Sequence, residues 1–274
     1  MPPPISDSGI ARHSSDMPSP DFSRRHFLEL LLLTTACVPS PEPVLTAEPE
    51  PDDSLHARPK TPQPENAPVI TEAPQPLGLG NDRDGYFYAP AAVRKNAPLL
   101  LYLHGASGSG QRGIKRWLTD AERHGIIVVA PDSRDRTWGV SLGDESDDLA
   151  FIDRALNKIF ASYSVDVDKI AITGFSDGAS AALSWGLLNG DLFNVVLAFS
   201  PGFVHLAGRP KGMPRVYISH GLNDEILPID RCGRRIANSL HAAGYDLKFQ
   251  IFDGGHDVPD EIRGNAVRWF LGKG

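Results

Sequence analysis

The sequence is sparing in features that would mark several common protein classes. Among 274 residues there are two cysteines, Cys37 and Cys232, enough for one bridge and too few for a disulfide scaffold. Basic residues do not dominate: 27 Lys and Arg stand against 34 Asp and Glu, for a formal charge of −7. No basic stripe stands out, which argues against nucleic acid as a partner. No apolar run reaches the roughly 20 residues that a membrane-spanning helix needs, and no internal repeat is visible. The glycine-rich segment "HGASGSG" at His104 lacks the Lys-Ser/Thr ending of a phosphate loop. What remains is a chain with 41% hydrophobic residues, sufficient for a substantial globular core.

The hydrophobic residues are unevenly spread. "SRRHFLELLLLTTAC", from Ser23, places two arginines before a short apolar run and small residues at Thr34 to Ala36, the order of an export signal. Arg24-Arg25 followed by Phe27 and Leu28 resembles the bacterial twin-arginine address. Cys37 resembles a lipobox cysteine, although Thr34 stands where leucine is usual; cleavage by an ordinary signal peptidase fits the small residues equally well. Met17 is an alternative start that would shorten the leading segment. Residues 1–37 are therefore expected to direct export, with Cys37 a lipidation candidate and a route to membrane attachment. The expected location is periplasmic, extracellular or membrane-anchored. Residues 38–78, rich in Pro and Glu, bury too little apolar surface to offset chain entropy and are expected to form a disordered tether. The folded domain is then 79–274.

Within that domain, "APLLLYLHG", "GIIVVAPDS", "KIAITGFS", "FNVVLAFS", "PRVYISHG" and "DLKFQIFDGG" are short, nearly continuous apolar runs, the pattern of strands buried on both faces of a mostly parallel sheet. "GYFYAP", from Gly85, reads as an edge strand. Helical spacing fills the intervals, as in "DDLAFIDRALNKIFASY", where Asp147 suits an N-cap. Gly244 suits a helix C-terminus, and Pro259 a helix start. Alternating strands and helices predict an α/β domain with helices on both faces.

One junction stands out. Gly174-Phe175-Ser176-Asp177-Gly178 is G-x-S-x-G between a predicted strand and a predicted helix, the context of a nucleophile elbow; by itself the pentapeptide also fits a serine helix cap. A serine hydroxyl needs a base to take its proton. Of nine histidines, His256 in "DGGHDVP" alone follows the last strand and precedes the last helix, at the carboxyl edge of the sheet. Asp224, in "YISHGLNDEILP", follows the preceding strand and can hold the imidazole tautomer, with Glu225 its neighbouring alternative. The chain order Ser176, Asp224, His256 is that of α/β-hydrolases. Oxyanion donors are expected at the N–H of Asp177, which follows the serine, and at Ala106, in the loop after the "LLLYLHG" strand. His104 is expected to brace that loop. Cys232 is expected to be a free thiol with a packing role.

"LYLHGASGSG", "VVAPDSRDRTW", "DDLAFIDRAL", "GFSDGAS", "SHGLNDEILPID" and "FDGGHDVP" together resemble the bacterial phospholipase/carboxylesterase group, serine esterases of the α/β-hydrolase superfamily near polyhydroxyalkanoate-depolymerase and feruloyl-esterase-like proteins. The resemblance covers nearly all of 79–274. It implies an α/β-hydrolase fold, a carboxylic-ester substrate that is small or polymeric, and no metal or organic cofactor. It supports Ser176, Asp224 and His256 as the triad. Trp138, in "DRTWG", is expected either to wall the substrate pocket or to pack in the core. No insertion long enough for a large lid domain is visible. A serine peptidase of the same fold and a non-catalytic surface-binding module are the rival readings.

Overall fold

The computed structural model describes residues 54–59, 71–80, 82–93, 95–144 and 146–273. The export-type segment, Cys37 and much of the Pro-rich stretch lie outside the described residues. In chain order the elements are β1 (Gln75–Pro76), β2 (Gly85–Tyr88), β3 (Ala97–Leu103), α1 (Gly110–Gly113), α2 (Leu118–His124), β4 (Ile127–Pro131), α3 (Ser146–Ser162), β5 (Val165–Phe175), α4 (Asp177–Leu188), β6 (Val195–Phe199), β7 (Arg215–Gly221), α5 (Gly233–Ala242), β8 (Leu247–Phe252) and α6 (Asp260–Phe270). The strands form one sheet in the order β1-β2-β4-β3-β5-β6-β7-β8. The β1–β2 and β2–β4 pairs are antiparallel, and every other pair is parallel.

Strand alternation divides the core in two. Leu99, Leu101 and Leu103 of β3 face one side, where they join Phe151 and Ile152 of α3, Trp185 of α4 and Ile236 and Leu240 of α5. Leu100 and Tyr102 face the other, with Trp117, Ala121 of α2 and Ala266 and Trp269 of α6. The period of two along each strand thus selects which helix layer a residue meets. This is the α/β-hydrolase fold, and its carboxyl edge carries loops and short turns rather than an inserted helical subdomain. Several local expectations hold. Gly244 follows α5 at φ +81°, and Pro259 is the residue before α6. Asp147 is not the N-cap expected of it: helix α3 starts at Ser146, and Asp147 lies in its first turn.

Two further expectations need correction. The strand at Gly85 is not the edge, because β1 pairs outside it. The tether is not disordered throughout, for both β1 and residues 54–59 pack on the domain. Leu55 and Ala57 are buried. The Leu55 N–H donates to Asn189 Oδ1 at 2.7 Å, and the His56 and Ala57 N–H groups both donate to Asp153 Oδ1 at 2.7 Å. Arg58 pairs with Asp191, and Lys211 Nζ donates to Ser54 Oγ at 2.6 Å. Composition predicted disorder because it counts only what a segment buries against itself. Here the apolar partners and hydrogen-bond acceptors come from α3 and from the end of α4, about a hundred residues away. Leu55→Ala is expected to lower unfolding free energy by about 2 kcal/mol, the low end for a buried leucine, and to expose residues 54–59 to limited proteolysis; denaturant titration and peptide mapping measure both.

Candidate active site

The site begins at the end of β5, where the chain turns into α4 at Ser176. Its backbone is at φ 57°, ψ −119°, a strained conformation that an L-residue holds only when its surroundings impose it. The flanking glycines make the turn sterically feasible. A Cβ on Gly174 would lie 2.0 Å from the Gly178 carbonyl oxygen, and one on Gly178 would lie 2.2 Å from the Leu103 oxygen. Either contact is impossible, so both positions exclude a side chain. The Ser176 N–H donates to Phe199 O at 2.9 Å, which ties the elbow to the end of β6.

Three side chains from three loops meet there. Ser176 Oγ lies 2.8 Å from His256 Nε2, and His256 Nδ1 lies 2.7 Å from Asp224 Oδ2. The His256 ring also rests on Phe175, with centroids 4.7 Å apart. Asp224 is buried, and its Oδ1 accepts from the N–H groups of Ile226 and Leu227 at 3.0 and 2.8 Å. Burial alone would raise its pKa. The Leu227 N–H, the His256 contact and the nearby His220 ring outweigh burial and hold the carboxyl below the usual aspartate value. Glu225, the alternative acid, has no contact with His256 among the described residues. His220 lies beneath the acid: its Nε2 is 2.7 Å from Leu227 O and 3.3 Å from Asp224 Oδ2.

The loop after β3 lies beside the serine. A Cβ on Gly105 would be 3.5 Å from Ser176 Cβ. The Ser107 N–H donates to Arg136 O and the Gly108 N–H to Gly105 O, while the Ala106 N–H is engaged by no hydrogen bond among the described residues. The Asp177 N–H is likewise unengaged, as the first-turn donors of a helix are. His104 braces this loop as expected. It is 2% exposed, with Nδ1 2.8 Å from Gly105 O and Nε2 accepting from the Ser133 N–H at 3.0 Å. Those partners fit the neutral ring with its proton on Nδ1, and burial pushes its pKa down.

Trp138 corrects one alternative. It is fully buried, its Nε1 donates to His104 O at 2.7 Å, and its ring packs on His104 and Trp185. It supports the loop from behind and presents no surface to a substrate. The carboxylate of Asp177 carries a contact that sequence reasoning missed: Oδ2 accepts from Thr137 Oγ1 at 2.6 Å and from the Trp138 N–H at 3.0 Å, and Oδ1 accepts from Ser141. The residue after the serine thus anchors the loop after β4. Nothing in G-x-S-x-G signals this, because its second x is unrestricted. Asp148 does similar work, accepting from the Arg134 and Gly139 N–H groups at 2.6 and 2.7 Å.

Cys232 is a free, buried thiol, and Cys37 lies outside the described residues. Among the described residues no group of three or more His, Cys, Asp or Glu is placed to hold a metal, and no helix is long and apolar enough to cross a membrane.

The buried histidines give the domain a pH dependence whose sign is fixed. Burial lowers the pKa of both His104 and His220. Below about pH 6.5 the unfolded chain therefore holds more protons than the folded one, and stability falls as pH falls. Asp224 acts in the same direction further down: its contribution is present above its unfolded value of 3.8 and is lost as pH falls through its lower folded value. Denaturant midpoints measured from pH 8 downward are expected to begin dropping near about pH 6.5, and His104→Gln is expected to flatten that first decline.

Comparison with known proteins agrees with this architecture. A family model described as "Putative esterase" matches residues 78–210, a span that includes Ser176 and Ala106 and ends before Asp224 and His256. The bifunctional acetylxylan esterase/xylanase XynS20E of Neocallimastix patriciarum is 27% identical over 155 residues, covering 54% of this chain and 22% of that protein. A "Probable feruloyl esterase C" of Aspergillus niger is 28% identical over 161 residues, covering 55% of this chain and 58% of that one. The chain thus spans less than two thirds of the length of these curated relatives. Among solved structures, esterase PE8 superposes with TM-score 0.58 at 22% identity, over 70% of this chain and 99% of that one. The acetyl xylan esterase from Aspergillus awamori superposes with TM-score 0.58 at 19% identity, over 74% of this chain and all of that one. The described domain has the α/β-hydrolase fold shared by these esterases, and residues 78–210 match the "Putative esterase" model.

Proposed function

We propose that the chain hydrolyses carboxylic esters through an acyl-enzyme on Ser176. The observation that carries the reading is the continuous chain from Ser176 Oγ through His256 to Asp224, with contacts of 2.8 and 2.7 Å, on a serine held in a strained elbow. In this reading His256 Nε2 takes the Ser176 proton as Oγ attacks the ester carbonyl. The proton then passes to the departing alkoxide, leaving an acyl-serine and a free alcohol. A water molecule, deprotonated by His256, attacks the acyl group and regenerates the serine. Asp224 keeps Nδ1 protonated and stabilises the imidazolium formed in each half-reaction. The N–H groups of Ala106 and Asp177 receive the oxyanion, each worth about 10²–10³ in rate in comparable sites. The esterase names of the relatives support an ester substrate, small or polymeric, and no step calls for a metal or organic cofactor.

Ser176→Ala is expected to abolish labelling by a fluorophosphonate and release of p-nitrophenol from p-nitrophenyl esters, with an unchanged unfolding midpoint. Asp224→Asn is expected to lower kcat by about 10⁴ through the wrong imidazole tautomer. Faster turnover of matched p-nitroanilides than of the esters would favour the peptidase reading. Failure of wild type to label would favour a binding module.

We also infer that residues 1–37 direct export and that Cys37 becomes the acylated N-terminus, with residues 38–78 joining it to the catalytic domain at 79–274. Arg24-Arg25, the apolar run behind them and the small residues before Cys37 support this. Arg24→Lys/Arg25→Lys is expected to retain the enzyme in the cytoplasm, and Cys37→Ser to move it from the membrane pellet to the soluble exported fraction. Wild type found soluble outside the membrane would leave export and remove the anchor.

A further inference from the structure

Beside Ser176, between the oxyanion loop and the turn that follows it, is an open cavity of about 300 Å³ whose lining includes Tyr102, Gly105, Ala106, Arg112, Arg116 and Phe175. At about 30 Å³ per water molecule it has room for roughly ten waters, or for one ring with a substituent. Gly105 and Phe175 are direct neighbours of the serine, so a group in this cavity belongs to whatever is bound at Ser176. In a chain of net charge −7, the cavity is lined by two guanidinium groups and by no carboxylate.

Those groups retain unused donors. Arg112 spends Nη2 on Ser107 O at 2.8 Å and has a longer contact from Nε to Ser109 Oγ at 3.4 Å, which leaves Nη1 without a protein acceptor. Arg116 has one ionic neighbour, Asp257, at 3.8 Å with both side chains about half exposed or more, beyond hydrogen-bond distance. Because Asp257 follows His256, that contact places the Arg116 head on the histidine side of the cleft. Tyr102 is 5% exposed, its ring packed against Trp117 and Gly113, and its hydroxyl has no hydrogen-bond partner among the described residues. Burial pushes its pKa up to about 12, opposed by the Arg116 charge, so the phenol keeps its proton and is a donor. Lining the open cavity without a protein acceptor, this donor is available to a ligand or to water.

We propose, resting on the ester-hydrolase reading, that Tyr102, Arg112 and Arg116 form a subsite for a carboxylate carried by the ester substrate, so that the preferred substrates are anionic esters. A planar guanidinium matches a carboxylate with two parallel N–H···O bonds, and the Tyr102 hydroxyl supplies a third donor from the cavity wall. A neutral ester brings no carboxylate to the Arg112 Nη1, the Arg116 head or the Tyr102 hydroxyl.

The test uses two matched ester pairs with the purified full chain. Mono-p-nitrophenyl adipate against p-nitrophenyl hexanoate carries the charge on the acyl side; 4-acetoxybenzoate against phenyl acetate carries it on the alcohol side. In at least one pair, Arg116→Gln is expected to lower kcat/KM for the anionic ester about tenfold more than for its neutral partner, the scale of one charge-assisted hydrogen bond. Arg116→Lys is expected to fall between, and Tyr102→Phe to shift the ratio in the same direction. About 0.5 M salt is expected to reduce the wild-type ratio by screening. Charged-to-neutral ratios that are the same in wild type and all three variants, for both pairs, would overturn the subsite and leave ester hydrolysis standing. Should wild type cleave no ester, protection still reads the subsite: benzoate is expected to slow fluorophosphonate labelling of wild type more than of Arg116→Gln, and equal protection would overturn it.

Discussion

The constraint on which the rest of the structure depends is the contact between Gly174 and Gly178 across the turn at Ser176. The end of β5 and the start of α4 approach so closely that a single methyl group on either glycine would overlap backbone. That approach brings the helix start against the end of β3, whose Leu103 and His104 oxygens face Gly178. It also fixes the serine at a positive φ and turns its hydroxyl out of the sheet. Because β5 lies between β3 and β6, the same turn is flanked by the ends of both neighbouring strands. The loop after β3 and the carbonyl of Phe199 therefore come to the elbow without any long excursion of the chain.

Burial divides the labour among three histidines. His104 and His220 are almost wholly excluded from solvent, and desolvation favours their neutral forms. Neutral rings suit fixed structural contacts: His104 joins Gly105 to Ser133 through its two nitrogens, and the His220 Nε2–H donates to Leu227 O beside Asp224. His256 keeps 15% of its side chain exposed and faces the serine, with Nε2 2.8 Å from Ser176 Oγ. The same side-chain chemistry is thus a brace in two places and, in the proposed mechanism, a base in the third, and depth within the protein separates the roles.

Carboxylates supply the remaining rigidity. Asp177 and Asp148 each gather two or more donors from the loop after β4, and through Trp138 that loop supports His104 from behind. A chain of contacts therefore runs from the elbow through Asp177, Trp138 and His104 to the loop after β3, with little dependence on regular secondary structure. The cavity in front of this framework is lined by Arg112 and Arg116 and by no carboxylate.

Much of this was legible in the residue order. Strand runs, helix periodicity and the glycines around Ser176 are local signals, because backbone sterics and side-chain period act over a few residues. The positions of Asp224 and His256 after successive strands followed from the alternation of the elements, since a parallel sheet brings all such loops to one edge. What lay beyond the sequence depended on partners distant in the chain. The docking of Leu55 and Ala57 depends on Asn189 and Asp153, and β1 exists only because β2 offers it an edge. Trp138 was ambiguous between pocket and core, since an indole suits either and only its depth decides. The Asp177 carboxylate falls at an unrestricted place in its motif, and its acceptor role appeared only once Thr137 and Ser141 were brought within reach. By itself the sequence determined the elbow and the order of the elements that carry Ser176, Asp224 and His256, because local sterics and topology suffice for both. Burial, hydrogen-bond pairing and the charge facing the cleft were decided by the tertiary structure, because each depends on which distant groups displace water from a given side chain.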